Sequence, residues 1–136
     1  MCGIVGFIGI NHVENYLIEG LKKLEYRGYD SSGICIKDDY LGVIKRKGGI
    51  AELEKTVKTR TLNSDMGIAH TRWATHGAPN DINAHPHLSH NSKIAVVHNG
   101  IIENYTTLKR FLLEKGYKFK SQTDSEVIAH LIEEFY

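Results

Sequence analysis

The second position of the chain constrains it most. Met1-Cys2-Gly3-Ile4-Val5-Gly6 sets a thiol directly behind the initiator methionine, so loss of Met1 leaves a residue that carries a nucleophile and a free α-amine together. An α-amine is a base of suitable strength near neutral pH to take the thiol's proton, and a nucleophile of that kind needs no histidine. The simpler alternative is a small apolar residue opening a buried strand, the common fate of a lone cysteine. Gly3 to Gly9 reads as a strand, with glycines at a three-residue spacing that admits close backbone approach.

The rest of the composition narrows the partners. Seventeen Lys and Arg against sixteen Asp and Glu leave a net charge of +1, which gives no basic excess for nucleic acid or an anionic membrane. A small-molecule partner is expected. The apolar run from Cys2 to Ile10 is too short to span a bilayer and has the flanks of neither an anchor nor a signal peptide, so a cytoplasmic protein is expected. Two cysteines form no disulfide framework, and Cys35 within Gly33-Ile34-Cys35-Ile36 reads as a buried thiol. The 136 residues suit one domain, residues 1–136, without repeats or a linker.

Periodicity predicts the elements. Asn11 with Glu14 can cap a helix whose inner face carries Val13, Tyr16, Leu17, Leu21 and Leu24, with Gly28 as its stop. Gly33 to Lys37 and Val43 to Lys47 suggest a hairpin, and Ala51 to Lys58 a short helix with Leu53 and Val57 inward. Met66 to Thr71 is extended, and the polar loop from Thr75 to Ser92 is long enough to carry function. Lys93 to His98 reads as a buried strand, Glu103 to Lys115 as a helix with Tyr105, Leu108, Phe111 and Leu112 inward, and Tyr117 to Lys120 as extended. Thr123-Asp124-Ser125-Glu126 has the form of a capping box before a last helix with Val127, Ile128, Leu131, Ile132 and Phe135 inward.

Several polar clusters exceed what a core needs: Tyr26 to Asp30, His70 to Gly77, Asn83 to His87, His98-Asn99-Gly100 and Thr123-Asp124. Each has a plainer meaning alone. Asn99-Gly100 is first a turn dipeptide, Arg72 beside Trp73 a surface cation on an indole, and Asp124 a first-turn carboxylate favoured by the helix dipole. The eight histidines match no standard zinc spacing, so no metal is expected. His70, His76 and His98 are candidate bases for a thiol, although a terminal amine makes them redundant.

Together these stretches resemble the glutaminase (class II glutamine amidotransferase) domain of the glucosamine-6-phosphate synthase family, an N-terminal-nucleophile hydrolase. The resemblance runs through Cys2 to Gly6, Leu24 to Gly33, Gly67 to Gly77, Asn83 to His87, His98 to Asn104 and Thr123 to Ile128, in family order. It implies an α+β fold, the αββα sandwich, here incomplete at its C-terminal side. It also implies that Cys2 is the nucleophile, with its own amine as base and no cofactor. Asn99 and Gly100 resemble the oxyanion hole, and Arg27 and Gly28 the turn supporting the N-terminal residue. Arg72 would clamp the α-carboxylate of L-glutamine and Asp124 its α-ammonium, with Trp73, Thr75 and His76 on a closing loop.

Gly49 and Ser125 depart from common family residues away from this chemistry. The family's isomerase modules, which take fructose 6-phosphate, are absent from the chain, and the full-length protein is expected to be a homo-oligomer. Two alternatives remain at this point: a class II amidotransferase with another ammonia acceptor, and a non-catalytic glutamine-binding fragment. The isolated chain is expected to make no glucosamine 6-phosphate and to hydrolyse glutamine poorly.

Overall fold

A computed structural model describes residues 1–60 and 62–136. Strands β1 (Gly3–Ile8), β2 (Ser31–Lys37), β3 (Leu41–Lys47) and β4 (Met66–Arg72) form one antiparallel sheet in the order β1-β4-β2-β3. Helices α1 (Val13–Lys23) and α2 (Ile50–Lys58) pack on one face of it. Beyond the other face lie two short strands, β5 (His87–Leu88) and β6 (Ala95–Val96), backed by α4 (Glu126–Phe135), which packs on α3 (Tyr105–Glu114). The layers therefore run helix, sheet, sheet, helix, the αββα arrangement of the N-terminal-nucleophile hydrolases.

Side chains alternate across a strand, so register decides which residues share a layer. Ile34 pairs with Ala69 and with Ile44, and Ile36 with Gly67. These positions face the helices, and with Val13, Leu17, Ile18, Leu21, Ile50, Leu53 and Val57 they make the apolar core. A fully buried Leu or Ile contributes about 1.5–3 kcal/mol, so this one cluster anchors the first two layers. The opposite face carries Gly33 opposite His70, and Ser31 opposite Arg72. The core face and the chemical face are set by the same pairing.

The structure corrects several local expectations. Helix α1 is entered through His12, in the left-handed region at φ 67°, so Asn11 stands outside the first turn and makes no cap. Tyr16 stays half exposed, stacked on Phe7 at 4.4 Å, while Ile18 is buried in its place. Strand β6 spans only Ala95–Val96, because the backbone on either side is given to hydrogen bonds with Ser89 and His85, and Tyr117 to Lys120 forms no strand.

The capping box does not form either. Thr123 Oγ1 lies 2.8 Å from His87 Nε2, and the Glu126 carboxylate instead accepts the backbone N–H groups of Lys120 and Ser121. Helix α4 consequently buries Glu126 and His130, while Ile132 and Phe135 remain 40% and 75% exposed.

Gly33 sets the spacing between the two sheets. A Cβ at this position would sit 2.0 Å from the carbonyl oxygen of His85, a clash with backbone that no rotamer relieves. Gly6, in β1, has no atom within 4 Å of such a Cβ. Gly33→Ala should therefore lower unfolding stability by about 2–3 kcal/mol or more, whereas Gly6→Ala should change it by less than about 0.5 kcal/mol. Denaturant titration of both variants checks this, and equal effects would contradict the close approach.

Candidate active site

The pairing of β1 with β4 builds the site. Gly3 pairs with Thr71, and one step further along the register sets Cys2 beside Arg72, both on the face toward the second sheet. The Trp73 N–H donates to Cys2 Sγ at 3.2 Å, and the Trp73 carbonyl lies 3.6 Å from the same sulfur. The N-terminal ammonium, on Met1, donates to the carbonyls of Arg27 at 2.7 Å and Gly28 at 3.0 Å. Gly28 takes φ 77°, which glycine adopts without strain at the end of the short turn Glu25–Arg27. Arg27 and Gly28 thus act through backbone oxygen, on the residue just before Cys2.

Cys2, Arg72, Trp73, Thr75, His76, Gly100 and Asp124 line one cavity of about 250 Å³. That size suits a small metabolite. Arg27 and Gly28 lie outside its wall, holding the terminus, and Asn99 is also outside the lining, with its Oδ1 2.7 Å from His70 Nε2. His85, His98, Ile101, Thr123 and Ser125 complete the wall. Of the three histidines considered as bases, His76 and His98 reach the cavity and His70 lies behind it.

Arg72 is almost fully buried, and its guanidinium donates to the carbonyls of His76 at 2.5 Å, Gly77 at 3.1 Å and Ala78 at 3.2 Å. It therefore organises the loop that follows β4 as well as facing the cavity. Burial lowers its pKa, opposed by Asp30, Cys2 and Asp124; guanidinium stays charged under such a shift. Asp124, also buried, accepts the Ile102 N–H at 2.6 Å and faces His76 Nδ1 at 3.8 Å. One carboxylate oxygen steadies the segment after Gly100, and the other is turned to the loop of His76. Asp30 holds the Ala74 N–H at 2.6 Å, tying that same loop back to the start of β2.

A run of buried histidines backs the cavity. His70 and His85 stack with centroids 4.1 Å apart, and His85 meets His87 edge-on at 4.5 Å. Burial is the main cause that drives His70 down to about 4 and His87 to about 3, with His85 lower still. All three are neutral at neutral pH. Among the described residues no group of three or more His, Cys, Asp or Glu side chains is placed to hold a metal. Cys35, buried between the sheets, is pushed up to about 11 by burial and is a poor nucleophile beside Cys2.

A glutamine amidotransferase domain model matches residues 57–135, more than half of the chain. The chain belongs to the glutamine amidotransferase domain family. More particularly, it is 53% identical over its whole length to a glutamine–fructose-6-phosphate aminotransferase (isomerizing) of Clostridium perfringens, of which it covers 22%. It is 57% identical over 98% of its length to the enzyme of that name from Thermotoga maritima, again covering 22%. The chain thus spans less than a quarter of the length of these relatives.

Among solved structures it resembles a glutamine phosphoribosylpyrophosphate amidotransferase from B. subtilis complexed with ADP and GMP. That match has TM-score 0.79 and 30% identity over 98% of this chain and 29% of that one. A structure described as the allosteric regulatory enzyme of purine biosynthesis matches at TM-score 0.81 and 31% identity, with the same coverage.

The buried histidines give the site a pH dependence. In the unfolded chain they titrate near 6.5, whereas the folded values are depressed to about 4 and below. Between those limits unfolding takes up protons, so their contribution is complete above pH 6.5 and is lost as pH falls toward 4. Unfolding stability should be level between pH 7 and 8. Below pH 6 it should fall by more than about 1.4 kcal/mol per pH unit, the slope for one proton. Denaturant unfolding across this range checks it; a flat profile down to pH 4.5 would contradict neutral burial.

Proposed function

We propose that this chain hydrolyses glutamine through Cys2, as the glutaminase portion of an enzyme that converts fructose 6-phosphate to glucosamine 6-phosphate. The observation that carries the reading is the convergence of Cys2, Arg72, Gly100 and Asp124 on one cavity from four separated stretches of sequence. The relatives' names supply the acceptor, fructose 6-phosphate, whose site would lie in the part of those proteins that the chain does not cover. Homo-oligomerisation and a cytoplasmic location belong to the same proposal; no helix among the described residues is long and apolar enough to cross a membrane.

In this mechanism removal of Met1 frees the amine of Cys2 and leaves the carbonyls of Arg27 and Gly28, which accept from the Met1 ammonium, to receive it. That amine takes the thiol proton, and the thiolate adds to the glutamine amide carbon. The resulting oxyanion is held by the Asn99 side-chain amide and the Gly100 N–H, donors that act on charge present only in the tetrahedral intermediate. The amine returns its proton to the departing nitrogen, ammonia leaves, and a γ-glutamyl thioester remains on Cys2. Water adds to the thioester carbon, the sulfur leaves with a proton, and glutamate is released. Glutamine and water thus yield glutamate and ammonia.

Arg72 and Asp124 bind the amino-acid end of the substrate, opposite charges for opposite charges. Trp73, 55% exposed, stands with Thr75 and His76 at the mouth of the cavity, where they would close over glutamine and exclude water. Cys2→Ala should abolish ammonia release while leaving glutamine binding in place. Arg72→Ala should weaken that binding by roughly 1.5–3 kcal/mol, the range for a hydrogen bond to a charged group. Calorimetry with glutamine and an ammonia assay measure the two effects; turnover by Cys2→Ala, or unaltered binding by Arg72→Ala, would overturn the assignment.

A further inference from the structure

The turn that carries Asn99 and Gly100 is held from behind by two histidines. His70 is fully buried in β4, on the face opposite the apolar core, and its Nε2 lies 2.7 Å from Asn99 Oδ1. An amide oxygen only accepts, so Nε2 carries the proton and donates. His70 Nδ1 has no hydrogen-bond partner among the described residues, which agrees with the unprotonated nitrogen of that tautomer. Once Oδ1 is engaged, the orientation of the Asn99 amide is decided and its Nδ2 is directed away from His70. His85 stacks on the same ring and accepts the backbone N–H of His98, the residue before Asn99, at 3.3 Å through Nδ1. His85 is in turn pressed against β2 at Gly33, where a single Cβ would clash with its carbonyl.

We propose that the stacked pair of His70 and His85 positions the oxyanion-binding turn, His70 by orienting the Asn99 amide and His85 by anchoring the backbone at His98. The inference rests on the reading of Asn99 and Gly100 given above. A loose asparagine on an exposed turn samples both amide orientations, and only one presents a donor; a buried imidazole removes the other. Burial keeps both rings neutral, so His85 Nδ1 retains its lone pair for the His98 N–H. Neither histidine touches the reacting atoms in this scheme. They are positioning residues.

The test is steady-state release of ammonia from glutamine by His70→Phe, which keeps a ring for stacking but removes the donor, and by His70→Gln, which supplies an N–H of similar reach. Loss of a whole oxyanion-hole donor costs about 10²–10³ in kcat, so His70→Phe should lower kcat by about 10- to 100-fold with KM within about 3-fold. His70→Gln should recover most of that loss. In an Asn99→Ala background, His70→Phe should cost less than about 2-fold further, because its partner is already gone. An undiminished kcat in His70→Phe, or an equal loss with and without Asn99, overturns the inference while leaving the glutaminase reading intact. A normal kcat in Asn99→Ala removes the oxyanion role of Asn99 and the inference with it. Independently of turnover, ¹⁵N NMR should show His70 as the neutral Nε2–H tautomer, with the Asn99 side-chain amide shifted in His70→Phe; the Nδ1–H tautomer would contradict the proposal.

Discussion

The antiparallel register between β1 and β4 is the constraint on which the site depends. Strand side chains alternate, so pairing Gly3 with Thr71 sends Val5 and Ala69 to the helices, and Ile4 and His70 to the second sheet. Continuing it by one residue brings Cys2 to Arg72. A slip of β1 by one residue would turn the thiol toward the apolar core and Val5 and Phe7 away from it, a change opposed by their packing on the cluster around Leu17, Leu21, Ile34 and Ile36. The energy that fixes the register is apolar burial. Its consequence is that Cys2 and Arg72 share one cavity wall.

Polar groups then divide the remaining space. Arg72, Asp124 and Asp30 each spend part of their hydrogen-bonding capacity on the backbone of flanking loops: Arg72 on residues 76–78, Asp124 on Ile102, Asp30 on Ala74. Arg72 and Asp124 are buried, where charged side chains persist only when so satisfied, and the same bonds make the loops part of the site. Glu126 behaves likewise beneath the second sheet. Burial would raise its pKa, but hydrogen bonds from His130, Ser121 and the Lys120 and Ser121 backbone outweigh this and hold it down at about 2. A second cavity of about 390 Å³ is lined by Lys45, His87, Ser121 and Glu126 and by no cysteine.

How much of this fold is legible in the sequence depends on which force decides each segment. Helices α1 and α2 and the β2–β3 hairpin follow apolar periodicity because they border the main core, where burial dominates. Helix α4 does so only in part: Val127 is buried as expected, but Glu126 and His130 also go inward, 2.9 Å apart, and Ile132 and Phe135 face out, since a polar network shares in seating this helix. The Thr123–Glu126 signature failed for the same reason, its side chains being claimed by His87 and by the Lys120–Ser121 backbone.

Most of the candidate site was readable as motifs, and Cys2, Arg72, Gly100 and Asp124 do meet. His98 stands among the candidate bases of the sequence, but the partners that seat His85, His98 and Ser125 in the cavity wall are not readable, because they are distant in the chain. His98 Nδ1, for example, lies 3.0 Å from Ser125 Oγ, 27 positions away. No local pattern encodes that contact.

The central claim is that the first strand presents Cys2 as a nucleophile to glutamine held in this cavity. It is tested most directly by acid-quenching the protein during reaction with glutamine and mapping the peptides by mass spectrometry. The expected result is a γ-glutamyl group in thioester linkage on Cys2, in a peptide that begins at Cys2 because Met1 has been removed. Ammonia release by a protein that retains Met1 throughout, or a γ-glutamyl group carried on Cys35 instead, would contradict it.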